Sequence, residues 1–430
     1  MGNCSSCNFI YIARINFNTK GHKISLLNNN LINNSMRRKI AIFTGNRAEY
    51  GLQFPIIKAI NENENLIYNL IVSGSHLEKK YGNTIQQILK DKLKIKARIK
   101  LISYDNRIKT YTSLIISEAI KKISLILNKI KPDLMLVSTD RYETFAAAVA
   151  STQMNIPTCH VEGGDITQGG TFDDSIRHAI TKLSHIHFAT NKMSYKNILK
   201  LGEEKWRVFN TGLPINDTIL SFKKESANNL EKLFNINFYK PLIIFTYHPV
   251  AVDIKLIKKY MATSLKALDH LMKYNSCQII VTYPNNDYGS EFIIQSLKKF
   301  ARKYIKNFKL VKVLSSYYLH SIIYHGNCGN FAIVGNSSLG IKEAIAFKCP
   351  VVNIGSRQDG RLKPGNVLDV ENNLNKIIIT TKKALFDKQF KKNCLGEINP
   401  YYKKDSGKKI AKILSELKIN KKLLKKKILL

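Results

Sequence analysis

Short, mostly apolar runs alternate with longer amphipathic segments from about residue 38 onward. Residues 39–43, 70–72, 134–137, 158–161 and 187–189 form the first set of runs, with the density of apolar residues expected of strands buried on both faces. Between them, residues 52–61 and 113–129 repeat apolar positions at helical spacing. Strands alternating with helices predict a parallel sheet with helices on both faces. The pattern pauses at Asn210-Thr211-Gly212-Leu213-Pro214, a turn-forming cluster. It restarts with runs at 242–246, 278–282, 309–313, 331–334 and 351–354. Near the end, residues 406–417 place Ile410, Ile413, Leu414 and Leu417 on one helical stripe, and the basic run 421–427 reads as a solvated helix end. The predicted fold is α/β, with two Rossmann-like units facing a cleft. A ligand is expected in that cleft, at the carboxyl ends of the strands. The expected division is an extension at 1–35, a first unit at 36–212, a second at 213–395, and a final helix and tail at 396–430.

Composition narrows the function classes. A chain of 430 residues is long enough for two domains with their own cores. Its 44% hydrophobic and 23% charged content is that of a globular protein rather than a disordered or membrane one, and no apolar run approaches the roughly 20 residues of a membrane span. The seven cysteines are scattered. Only Cys4 and Cys7 have metal-ligand spacing, and no second pair completes a zinc site. A reduced, cytoplasmic protein is expected. The formal net charge of +37 invites a nucleic-acid reading. Lysines are spread along the whole chain, however, and neither stacking aromatics nor a zinc-finger pattern accompanies them. The reading preferred is a positive field that draws in small anionic substrates. Residues 1–35 contain no acid. Met1-Gly2-Asn3-Cys4-Ser5-Ser6 fits a myristoylation pattern, with Gly2 as acceptor and Cys4 as a palmitoyl site. The alternative, an inert extension or misassigned start, is favoured because Met36 directly precedes a strand pattern.

Against this basic background, four of the 31 acidic residues fall between Glu162 and Asp174. His160-Val161-Glu162-Gly163-Gly164-Asp165 follows a strand run, and Phe172-Asp173-Asp174 opens a helical pattern. One of the two aspartates could simply cap that helix, and His160 could be a core histidine. Glu162 and Asp165, among glycines at a strand end, are harder to explain structurally. Thr44-Gly45-Asn46-Arg47-Ala48-Glu49-Tyr50-Gly51 lacks the three spaced glycines of a dinucleotide fingerprint. It is either a phosphate site using a helix start and one guanidinium or a plain turn with a surface arginine. Ser138-Thr139-Asp140-Arg141 places two charged groups at a strand end, with Asp140 as an N-cap the plainer alternative. His248 before Pro249, and Asn285 in Tyr283-Pro284-Asn285-Asn286-Asp287, hold the corresponding places in the second unit. Gly335-Asn336-Ser337-Ser338-Leu339-Gly340-Ile341-Lys342-Glu343 combines small residues, two hydroxyls and a helix start. Arg357 and Arg361 follow the next strand. This combination suits a nucleoside diphosphate, with Glu343 either on ribose hydroxyls or merely favouring its own helix.

These motifs, in this order, resemble the hydrolysing UDP-N-acetylglucosamine 2-epimerases of sialic and legionaminic acid synthesis. The resemblance runs from Met36 to about Leu417. It implies the B-type glycosyltransferase fold, with the last helix crossing back to the first unit. The implied reaction is elimination of UDP to a glycal followed by hydration, giving N-acetylmannosamine and UDP. It needs no metal and no other cofactor. Carried over by motif, the implied catalytic carboxylates are Asp140, Glu162 and Asp173. The implied UDP ligands are Arg47, Arg141, His248, Asn285, Ser337, Ser338, Glu343 and Arg357. The segment between Asp165 and Asp173 resembles members acting on UDP-2,4-diacetamido-2,4,6-trideoxyglucose, which leaves the sugar open. A non-hydrolysing epimerase and, in a different class, a basic nucleic-acid-binding protein are the alternatives. The expected partner is the UDP-sugar, with no nucleic acid and no membrane span; a homo-oligomer, dimer or tetramer, is expected.

Overall fold

The computed structural model describes residues 37–79, 82–102, 110–167, 171–250, 255–285, 287–304 and 306–429. The lipidation pattern at Gly2 and Cys4 lies outside them. Strands β1 (Arg38–Thr44), β2 (Leu66–Ser73), β3 (Ile95–Ile99), β4 (Leu134–Ser138), β5 (Thr158–Val161), β6 (Ile186–Ala189) and β7 (Val208–Asn210) form one sheet. Its order is β3-β2-β1-β4-β5-β6-β7, and every pairing is parallel. Strands β8 (Leu242–Thr246), β9 (Gln278–Thr282), β10 (Phe308–Val311), β11 (Phe331–Gly335), β12 (Val351–Ile354) and β13 (Val367–Val370) form the second, in the order β10-β9-β8-β11-β12-β13. It too is parallel throughout.

Both sheets run outward from their first strand and then cross to its other side. The reversals fall between β1 and β4 and between β8 and β11, and loops diverge there to leave a crevice at the strands' carboxyl ends. Every predicted strand is present. Three strands escape the apolar-run pattern: β3, β7 and β13.

Helices cover both faces of each sheet. On one face of the first, Ile40, Ile42, Leu134 and Leu136 pack with Ile56, Ile57 and Ile60 of the helix Arg47–Asn61. On the other, Ala41, Phe43, Met135 and Val137 meet Ala119, Ile123 and Leu127 of the helix Tyr111–Ile130 and the alanine-rich helix Tyr142–Gln153. The helix Ser406–Glu416 returns to the first sheet's layer, burying Ile410, Ala411 and Leu414 against the Arg47–Asn61 helix. Gly407 permits the approach, because a Cβ there would sit 2.6 Å from the Pro55 carbonyl oxygen.

The tail is a short, largely solvated helix end as expected, with Lys421, Lys422, Lys425 and Lys427 exposed, but it is tied down at two points. Leu423 is buried, and Lys426 donates to the carbonyls of Thr181, Lys182 and Ser184 at 3.1, 2.7 and 2.7 Å. Its ammonium also lies 2.8 Å from the fully buried Glu203. Arg207 donates to the carbonyls of Leu423 and Lys422. A basic run is thus anchored because buried acceptors await it, and periodicity cannot show those.

Candidate active site

The carboxyl ends of the two sheets face each other across one cleft. All eleven residues singled out by sequence line it: Asp140, Glu162 and Asp173, and Arg47, Arg141, His248, Asn285, Ser337, Ser338, Glu343 and Arg357. Thr139 and Glu162, just beyond the ends of β4 and β5, adopt φ of +70° and +74°. Non-glycine residues, and a β-branched one above all, rarely take this conformation, and such strain persists only where surrounding contacts enforce it. Here the Thr139 amide donates to the Val161 carbonyl and the Glu162 amide to the Phe188 carbonyl, both at 3.0 Å. The Thr139 carbonyl lies 2.8 Å from His160 Nε2. His160 is therefore a core histidine. Burial lowers its pKa to about 3, so the neutral ring is a fixed hydrogen-bonding strut beneath the site.

The three carboxylates sit in different electrostatic surroundings. Asp140 pairs with the buried Arg177. Burial would raise its proton affinity, but Arg177, Arg361 and Lys342 together hold the carboxyl below its ordinary range. Neither Asp140 nor Asp173 caps a helix. Arg141 occupies the N-cap position of the helix Tyr142–Gln153, and Asp173 and Asp174 lie within the first turn of the helix Thr171–Leu183. Asp174 accepts from the Thr167 amide at 2.8 Å and pairs with Arg177, so it braces the loop. Asp173 keeps 43% of its side-chain surface open and lies 3.9 Å from Arg357. That opening faces the cleft, and desolvation followed by the charge of Asp140 pushes its carboxyl up to about 6. Glu162 pairs with Lys342 across the cleft.

The second sheet supplies donors. The Asn336 amide clamps the His248 backbone, accepting from its N–H at 2.7 Å and donating to its carbonyl at 2.9 Å. His248 Nδ1 accepts from the Asn285 amide at 3.3 Å, which leaves Nε2 as the protonated nitrogen. Desolvation and the nearby Arg357 depress its pKa to about 3, so it is a neutral donor. Gly335, at φ +135°, lets β11 pass so close to β8 that a Cβ would overlap the Thr246 carbonyl. That approach sets Asn336, and Arg357 donates to the Asn336 carbonyl at 3.1 Å. Ser337 caps the following helix, accepting from the Leu339 amide at 3.4 Å. Glu343 lies 3.0 Å from His320 Nε2.

Several residues not singled out by sequence complete the site. Arg141 pairs with Asp287, and Arg47 donates to the Leu314 carbonyl at 2.7 Å; both contacts cross the cleft. Glu49, almost fully buried, accepts from the Gly45 amide at 2.7 Å and from the hydroxyls of Thr144 and Thr139. Lys342, Asp287 and Glu49 stood inside motifs already noticed, but only their through-space partners give them significance. Arg177 stands just beyond the acidic stretch, three residues after Asp174.

A family model described as UDP-N-acetylglucosamine 2-epimerase matches residues 58–415. The chain belongs to the UDP-N-acetylglucosamine 2-epimerase family. This family member is 35% identical over 359 residues to a Campylobacter jejuni protein named GDP/UDP-N,N'-diacetylbacillosamine 2-epimerase (hydrolyzing), covering 83% of this chain and 90% of that protein. It is 31% identical over 364 residues to a Legionella pneumophila UDP-N,N'-diacetylbacillosamine 2-epimerase (hydrolyzing), covering 84% and 93%. Its fold matches the crystal structure of UDP-GlcNAc 2-epimerase from Neisseria meningitidis bound to UDP-GlcNAc with a TM-score of 0.73 at 20% identity, over 88% and 99% of the two chains. The epimerase fold thus accounts for the paired parallel sheets and the returning helix. Among the described residues, no helix is long and apolar enough to cross a membrane.

Proposed function

We propose that the protein is a hydrolysing UDP-sugar 2-epimerase. It would convert UDP-N-acetylglucosamine and water to N-acetylmannosamine and UDP, for synthesis of nonulosonic (sialic-type) acids. The observation that carries this reading is the cleft itself: three carboxylates at the ends of the first sheet face guanidiniums, hydroxyls and a neutral histidine at the ends of the second. The names of the two hydrolysing relatives support it. The space between the walls, counting its open mouth, is about 1390 Å³.

The chemistry follows from the two walls. In the first step a carboxylate takes the C2 hydrogen as a proton. Its electron pair forms the C1=C2 double bond, and the C1–O bond breaks with its electrons on UDP. Water then gives its hydroxyl to C1, and a proton returns to C2 from the opposite face. Arg47, Arg141, Arg357, His248, Asn285, Ser337 and Ser338 would hold the nucleotide, with Glu343 on the ribose. Donors of this kind stabilise departing diphosphate more than bound substrate. Asp173, with its carboxyl near 6, is suited to carry a proton. Glu162 and Asp140, each beside a cation, are suited to act as carboxylates. In this reading residues 36–212 handle the sugar and 213–395 the UDP.

The second reading changes only the sugar. Both relatives are named for UDP-N,N'-diacetylbacillosamine, and the segment between Asp165 and Asp173 resembles the form in members acting on UDP-2,4-diacetamido-2,4,6-trideoxyglucose. Product identification by NMR with both UDP-sugars is the test. Free UDP with a manno-configured sugar supports the proposal, and the better substrate decides between the readings. Product still joined to UDP would select the non-hydrolysing reaction, and survival of both substrates would overturn the proposal.

A further inference from the structure

We infer that Lys342 is a positioning residue for the catalytic carboxylate Glu162: its ammonium reaches across the cleft to hold that carboxylate in place, so that one wall sets the reacting group of the other. The inference rests on the proposed epimerase reading. Lys342 ends the short helix Ser338–Lys342 of the second sheet. Its side chain is 7% exposed and contacts two carboxylates of the first sheet's loops, Glu162 and, at 2.6 Å, Asp165. A plain structural role would be neutralising the buried Asp165. Arg361 shares that role, with its Nε 3.0 Å from the same Asp165 oxygen, so Asp165 keeps a cation partner when Lys342 is replaced. Lys342 extends past this pair to Glu162 at the cleft wall, and both lysine and glutamate line the cavity.

Two consequences follow from this placement. The ammonium fixes the direction of a side chain whose backbone is already constrained at φ +74°. Because Lys342 is four residues beyond Ser338 on the same short helix, the segment that would hold the diphosphate also sets the position of the ammonium, which would link proton transfer to nucleotide binding.

The test compares Lys342→Met, Lys342→Gln and Lys342→Arg with the wild type in steady-state turnover, UDP binding by calorimetry and thermal melting. The Met and Gln variants retain the Asp165–Arg361 pair. They are expected to lose about 100-fold in kcat, the scale of a misplaced reacting group, with KM and UDP affinity little changed. Lys342→Arg, which keeps the charge, is expected to recover most of the loss. Should the Met variant not fold, the Gln variant must show the same split. Unchanged kcat in folded Met or Gln variants would overturn the inference. So would a loss of UDP affinity matching the loss of kcat, or an Arg variant no better than Met. Failure of the wild type itself to release UDP would instead refute the epimerase reading.

Discussion

Replacing Glu49 by glutamine should stabilise the protein most at alkaline pH. Its carboxyl is 1% exposed. Burial is the largest cause raising it, and the charge of Glu143 adds to it. The Thr144 hydroxyl, the Gly45 amide and the charge of Arg141 oppose the rise, leaving the group at about 7 against an ordinary 4.5. The folded state therefore binds this proton more tightly than the unfolded chain. Below about pH 4.5 both states hold it and there is no penalty. Between about pH 4.5 and 7 the unfolded chain gives up this proton while the folded protein keeps it, so stability falls, levelling off above 7 where both states are ionised. At about 1.4 kcal/mol per factor of ten in proton affinity, the full penalty is about 3 kcal/mol, of which about 2.5 kcal/mol develops between pH 5 and 8. Glutamine removes the titration. Its amide nitrogen would meet the Gly45 N–H if the side chain kept its pose, but that cost is the same at every pH and cancels in the comparison. Melting curves of wild type and Glu49→Gln at pH 5 and 8 measure the difference. The gap between their melting temperatures should change by about 3 °C in favour of the variant at pH 8. Parallel pH dependences would show that Glu49 is already ionised, and the account of a protonated carboxyl tying Gly45 to Thr139 would fail.

Other perturbations separate the roles assigned to the cleft. Glu162→Gln is expected to abolish turnover while UDP still binds, whereas Arg357→Ala should weaken UDP binding first; calorimetry beside an assay of released UDP distinguishes them. Asp173, at about 6, should be neutral at low pH and repel a diphosphate less. Lowering pH from 7.5 to 5.5 should then tighten UDP binding in the wild type by up to about tenfold more than in Asp173→Asn, as read by calorimetry at both pH values. Deleting residues 418–430 removes Lys426 from the buried Glu203 and the carbonyls that receive Arg207. Glu203 keeps Lys182 at 2.8 Å, so a cost of about 1–2 kcal/mol is expected from the lost charged hydrogen bonds, seen as a lower melting temperature.

The sequence disclosed this architecture unevenly, and burial explains where. Central strands such as β4 and β8 lie between two helical layers and are apolar at nearly every position, which makes them visible as runs. The three strands missed, β3, β7 and β13, stand at sheet edges. The edge strand β3, Ile-Lys-Ala-Arg-Ile, alternates because one face meets solvent, and β7 is only three residues long. The site was legible to the extent that chemistry sits at strand ends. Asp140, Glu162, His248 and Ser337 each follow a run that marks where a strand stops.

What the chain order could not reveal is which charges meet. Arg177 was visible near Asp174, three residues away, but its pairing with Asp140 spans 37 positions. Lys342 and Glu162 are 180 apart, and Arg141 and Asp287 are 146 apart. These pairs determine the chemistry more than the residue types do. Asp140 and Asp173 are the same side chain in one cleft, yet the first is held low by Arg177 and its neighbours while the second is raised by burial and by Asp140 itself. Ionised groups close together cannot all keep their ordinary proton affinities, and the cation nearest each decides which one yields. One carboxyl held low and another raised in the same cleft is a distribution that suits the proposed elimination and hydration. It arises when Arg177 from the first sheet's own layer and Lys342, Arg357 and Arg361 from the second meet the acids of the cleft. The strongly basic character of the chain does not create that distribution; the placement of these four cations does.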